Sequence, residues 1–86
     1  MKEEWICVDD YEGGGYHLGD TRTPKGWQEW ALQMNEISES EDYEKFKALP
    51  PKVAMEYVAD MWQIGLERYD ATNPEHIELR KEWEED

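Results

Sequence analysis

Between Lys52 and Tyr69 the chain carries Glu56, Asp60, Gln63 and Glu67 and little else that is polar. On a helix turning 100° per residue, these four fall within about 80° of one another. The rest of the circumference is apolar, with Val53, Tyr57, Met61 and Ile64 on one side and Met55, Val58, Trp62, Leu66 and Tyr69 on the other. A helix apolar over most of its surface is packed on at least two sides. The spacing predicts a central helix over 51–69, opened by Pro51, around which the other elements gather.

Such a core is demanding for this composition. Charged residues make up 36% of the 86, and the mean hydropathy of −1.04 borders on that of disordered chains. Five Trp, five Tyr and one Phe supply the large apolar areas that offset chain entropy. A chain of this length forms one domain, burying roughly 60–65% of its unfolded surface.

Upstream of residue 51 the pattern changes. Trp5, Ile6, Cys7 and Val8 form a short run of β-formers, Glu12 to Gly15 reads as a turn, and Tyr16 to Leu18 as a returning strand. A hairpin over about 4–19 is predicted. Two strands alone are marginal in water, so the hairpin must lie on helices. Thr23-Pro24 is a cap followed by a proline at the first helical position. Trp27, Trp30, Ala31, Met34 and Ile37 then recur on one face of a helix over about 24–37. Ser38 with Glu41 suggests a capping box for a short helix over 41–49, which Pro50-Pro51 stops. Asn73-Pro74 opens a last helix, 74–84, carrying Ile77, Leu79 and Trp83. The expected fold is α+β: an N-terminal hairpin packed on three to four helices.

Chemical motifs are few. Cys7 is the only cysteine, which excludes an internal disulfide and suits a reducing compartment. No secretory leader stands behind Met1-Lys2-Glu3-Glu4, and no run of about 18 apolar residues would span a membrane; a cytoplasmic protein is expected. Cys7 and His17 could face each other across the hairpin as nucleophile and base, yet a cysteine inside an apolar strand more often acts as a small hydrophobe. The glycine triplet lacks the lysine and helix start of a phosphate-binding loop. Asp9, Asp10, His17 and Asp20 gather near one hairpin without the spacing of an established metal loop. No catalytic residue, metal site or cofactor is expected.

Charge carries the functional signal. Twenty-two carboxylates against nine Lys and Arg leave a formal net charge of −13, well beyond the ~2–8 that keeps a small domain soluble. Nucleic acid and anionic membranes are therefore poor partners, and basic protein surfaces good ones. Glu56, Asp60 and Glu67 would form one stripe spaced about 6 and 10.5 Å along the predicted helix. Phosphates advance ~3.4 Å per nucleotide along one DNA strand, so these carboxylates could stand in for alternate or every third phosphate. Glu36, Glu39, Glu41, Asp42 and Glu44 add a compact acidic knob, followed by a basic patch of Lys45, Lys47 and Lys52 that could pair with it. Trp5 and Trp83, near the termini, are candidate contact aromatics or clamps onto the core. The expectation is a non-enzymatic acidic protein, monomer or homodimer, occupying a basic and nucleic-acid-binding surface of a protein partner. Compact DNA-mimic, anti-restriction and anti-CRISPR inhibitors of phages and mobile elements share this size and charge, as do nuclease immunity proteins; the analogy is compositional. The alternative is an assembly domain self-associating through exposed aromatics, its charge serving solubility.

Overall fold

The computed structural model of the chain describes residues 3–11, 15 and 17–85. Its centre is strand β1, Trp5–Asp10. β1 pairs antiparallel with the short β2, Thr21–Arg22, on one edge and with β3, Ile64–Arg68, on the other, giving the order β2-β1-β3. Ile6 and Cys7 are adjacent and both fully buried. Neighbouring strand residues point to opposite faces, so both faces of the sheet are covered. Trp5 and Cys7 look toward α1, Pro24–Leu32, and α4, Pro51–Met61. Glu4, Ile6 and Glu67 share the other face, where α5, Pro74–Glu85, brings Arg80 to 3.7 Å from Glu4 and His76 to 3.1 Å from Glu67. The fold is α+β, as expected, but in three layers.

The N-terminal hairpin differs from expectation. The partner strand of β1 begins at Thr21, and His17 to Gly19 form a turn instead of a returning strand. Glu12 to Gly14 and Tyr16, which the sequence assigns to the turn and that strand, lie outside the described residues. The ladder runs through Gly19 N–H to Cys7 O at 2.9 Å and Cys7 N–H to Asp20 O at 3.0 Å. Gly19 has φ +91°, a conformation glycine adopts without steric cost. A Cβ there would also run into the Leu79 carbonyl and lie 2.8 Å from Trp83 Cβ. The missing side chain lets α5 close onto the sheet.

Helix α1 starts as predicted, with Gly26 N–H donating to Thr23 Oγ1 at 3.1 Å and Pro24 in the first turn. It ends at Leu32, short of the expected 37. Met34 turns extended and caps α2, Asn35–Ser38, whose Ile37 folds back into the core. The next helix, α3, is Tyr43–Lys47, shorter than 41–49. Its cap residue Asp42 makes no side-chain cap bond, and Ser40 rather than Ser38 supplies the local hydroxyl, accepting from Asp42 N–H at 3.0 Å. The Ser38–Glu41 capping box does not form. Asn73 Oδ1 does cap α5, accepting from Glu75 N–H at 2.9 Å.

The largest correction concerns the helix predicted over 51–69. α4 stops at Met61, Trp62 caps it, and Gln63 takes φ 55°. This left-handed residue ends the helix in the manner usually given to glycine. Gln63 N–H and Nε2 both reach Asp60 O, at 3.4 and 3.2 Å. The chain then reverses into β3 beside β1. The apolar residues of 64–66 belong to the edge strand β3, where Ile64 is buried and Leu66 half-buried against the core. So short an apolar run cannot by periodicity be told from a helix. Only Ala54, Met55 and Val58 of α4 are buried; Val53, Tyr57 and Met61 are 48%, 47% and 39% exposed. α4 is thus a peripheral helix packed on one side, chiefly against α1 and β3.

The core joins Cys7, Trp27, Ala31, Ile37, Phe46, Ala54, Met55, Val58 and Ile64. Trp27 is its largest fully buried side chain, and its indole N–H donates to Trp5 O at 3.1 Å. Trp30 meets Trp27, Trp62 and His17 edge-on at 5.3–5.6 Å between centroids, the geometry aromatic quadrupoles favour. Among the described residues, no helix is long and apolar enough to cross a membrane.

Candidate functional site: an acidic knob beside an apolar groove

The acidic segment 36–44 spans α2, the following loop and the start of α3. Two short helices with no side-chain caps have little stability of their own. They are held by Ile37 and Phe46, both buried, and by Gln28 on α1. Gln28 is 6% exposed, and its Nε2 donates to Phe46 O at 3.1 Å and Leu49 O at 3.0 Å, with Lys47 O at 3.5 Å. One buried amide thereby ties the end of α3 and the approach to α4 onto α1. Sequence reasoning passed over Gln28, a polar residue one step from Trp27; no local signal marks it as buried.

Glu36, Glu39, Glu41, Asp42 and Glu44 are all exposed, and among the described residues none forms an ion pair. Three cations pair with acids outside the knob. Arg22 pairs with Asp20 at 3.2 Å, Lys52 with Glu3 at 3.4 Å, and Arg80 with Glu4 and Glu84. Lys52 and Arg80 also lie over the rings of Trp5 and Tyr69. Lys45 and Lys47 make no ion pair among the described residues, so neither lysine is locked onto a knob carboxylate.

Between the knob and α4 lies a groove of about 250 Å³. Ile37, Phe46 and Leu49 form its apolar floor, Tyr57 and Met61 its wall, and Glu36, Ser40, Asp42 and Lys45 its rim. Phe46 and Tyr57 are tilted at 53° with centroids 5.7 Å apart. Sequence reasoning assigned Tyr57 and Met61 to the core; the early end of α4 leaves them at the surface.

The expected stripe of Glu56, Asp60 and Glu67 is divided. Glu56 and Asp60 remain one turn apart on α4, beside Tyr11, which is 71% exposed. The Tyr11 hydroxyl donates to Asp9 Oδ2 at 3.2 Å, and that carboxylate raises the phenol's pKa. Glu67 lies on β3, across the molecule's sheet layer. It accepts from buried His76: Asp70 N–H donates to Nδ1 at 3.1 Å, which leaves the ring proton on Nε2, facing Glu67. The spacing compared above with DNA phosphates therefore does not exist for this trio.

Trp83 is half-buried against the Gly19 turn, and Trp5 half-buried against the core. Both pack within the fold. Cys7 and His17 do not meet: Cys7 Sγ donates to Asp9 O at 3.2 Å, while His17 rests on Trp30. Burial, reinforced by Asp10, pushes the Cys7 thiol up to about 12, far from a nucleophilic thiolate at neutral pH. Among the described residues, no group of three or more His, Cys, Asp or Glu is arranged to hold a metal ion.

Comparison with known protein families finds no matching family model, and comparisons with curated proteins and with solved structures return no significant match.

Proposed function

We propose that this protein is a non-enzymatic, cytoplasmic binding protein whose acidic knob occupies a basic, nucleic-acid-binding surface of a protein partner, as inhibitors of the DNA-mimic kind do. The observation that carries the reading is the bare knob: five exposed carboxylates within nine residues, none in an ion pair among the described residues. Clustered like charge raises the free energy of the folded state through self-repulsion. A cationic partner surface relieves that repulsion and gains fast, salt-sensitive association. Glu56 and Asp60 on α4 extend the negative field; Glu67, on the opposite layer, does not belong to the same face.

The test is affinity capture with the tagged protein and with a bait whose five knob carboxylates are changed to amides. The expected result is a basic nucleic-acid-binding protein retained by the native bait, released as salt shrinks the screening length toward ~3 Å, and displaced by duplex DNA. Retention by the neutralised bait, or indifference to DNA, would overturn the reading. Self-association through aromatics is the competing account. Tyr11 and Tyr57 are the more exposed aromatics it would use, with Trp5 and Trp83 half-buried.

A further inference from the structure

We propose that the groove between the knob and α4 receives one bulky apolar side chain from a basic segment of that partner, while the acidic rim holds the lysines or arginines flanking it. The proposal rests on the reading above and narrows its partner to a basic segment with an apolar anchor.

The groove combines two features that are unremarkable apart and informative together. Like Tyr11, Val53 and Ile77 elsewhere on the surface, Tyr57 and Met61 are large apolar side chains left exposed, at 47% and 39%. They adjoin the floor of Ile37, Phe46 and Leu49, so the apolar surface is concave. Its volume of about 250 Å³ lies below the ~300–1,000 Å³ of small-molecule sites, leaving room for a side chain or two. The floor is also preorganised, because Gln28 fixes the carbonyls of Phe46 and Leu49; rigid sites lose less entropy on binding.

Charge complementarity selects the occupant. Glu36 and Asp42 stand on the rim, and Glu39, Glu41 and Glu44 lie on the same two short elements. Lys45 is the one cation on the rim, and no carboxylate among the described residues pairs with it. A second copy of this chain carries the same net charge of −13, and like charges juxtaposed at an interface oppose docking. A basic segment with an apolar anchor matches both groove and rim, in the way amphipathic segments anchor in grooves elsewhere.

Fluorescence anisotropy with three labelled peptides of about a dozen residues tests this. One is lysine-rich with a central phenylalanine, the second replaces that phenylalanine by alanine, and the third keeps it but replaces the lysines by glutamine. Burying the anchor should make the first bind about tenfold more tightly than the second. The third should bind at least tenfold more weakly than the first at low salt. In Met61→Gln, and in Tyr57→Ala if tryptophan fluorescence shows it folded, the preference for phenylalanine should fall to about twofold or less, with the alanine peptide unaffected.

Equal binding of the two basic peptides, lost on neutralising the knob, would overturn the groove and leave the electrostatic reading standing. Equal binding of both basic peptides to the neutralised protein would overturn both. Equal binding of the third peptide would make the groove a purely apolar site and refute the role of the rim. A concentration-dependent dimer in sedimentation velocity, abolished by Met61→Gln, would replace the basic segment by a second copy.

Discussion

Changing Gln28 to methionine tests whether one buried amide holds the knob and groove in place. Methionine matches its length and is well tolerated in cores, but donates no hydrogen bond. The three acceptors are affected unequally. Phe46 O keeps Leu49 N–H at 3.1 Å as a second partner, and the contact to Lys47 O is already long at 3.5 Å. Leu49 O has no other partner among the described residues, so it bears most of the loss. An unsatisfied buried acceptor costs roughly 1–3 kcal/mol and a weakened one about 0.5–1.5, from which about 1 kcal/mol of added apolar burial is recovered. The net expectation is a loss of about 2 kcal/mol. Against a total of about 4–13 kcal/mol for a chain this size, that lowers Tm by roughly 8–16 °C. Urea and thermal unfolding followed by tryptophan fluorescence measure it.

Gln28→Glu sharpens the test. A carboxylate facing three carbonyls has nothing to donate, so at pH 7 it should lose more than Gln28→Met. Its folded-state pKa would lie above the unfolded value, so relative to native protein its deficit should shrink as pH falls and the carboxyl gains a donating proton. A Gln28→Met protein within about 0.5 kcal/mol of native, or a Gln28→Glu deficit independent of pH, would refute the account.

Three other perturbations probe the fold. Gly19→Ala places a β-carbon against the Leu79 carbonyl and Trp83 at a φ of +91°, and should cost about 3 kcal/mol or more; chemical denaturation near the native midpoint would expose the error. Gln63→Gly removes a left-handed non-glycine residue where α4 meets β3; despite losing one exposed bond to Asp60, it should stabilise by about 0.5 kcal/mol, and a Tm decrease would contradict the proposed role of that turn. Cys7 should resist alkylation at pH 8 at the rate set by global unfolding, since its thiol is raised from 9.0 to about 12 by burial. A group so raised favours the folded state below its unfolded pKa and loses that contribution as pH climbs from about 9 toward 12, so Cys7→Ala should flatten the alkaline end of the stability profile.

Much was legible locally. Thr23-Pro24, Pro50-Pro51 and Asn73-Pro74 mark real helix starts, because caps and prolines act through backbone geometry within a few residues. The β-formers of residues 5–8 are a strand, and the exposed knob carboxylates stand where charge alone would put them. The helix over 51–69 failed for an equally physical reason. A short apolar run that continues past Met61 fits a helical face and a strand alike, and Gln63 makes its left-handed turn without the usual glycine signal. Gly65, inside the supposed helix, was the available clue.

The sequence by itself determined the charge, the aromatic content and the starts of α1, α4 and α5, since these depend on residue identity and nearest neighbours. Only the tertiary structure decided the rest. By pairing 64–68 with β1, it ended α4 early, left Tyr57 and Met61 at the surface, and carried Glu67 away from Glu56 and Asp60. Which of several apolar faces is buried depends on which set of long-range pairings has the lowest total free energy, and no short-range pattern encodes that choice.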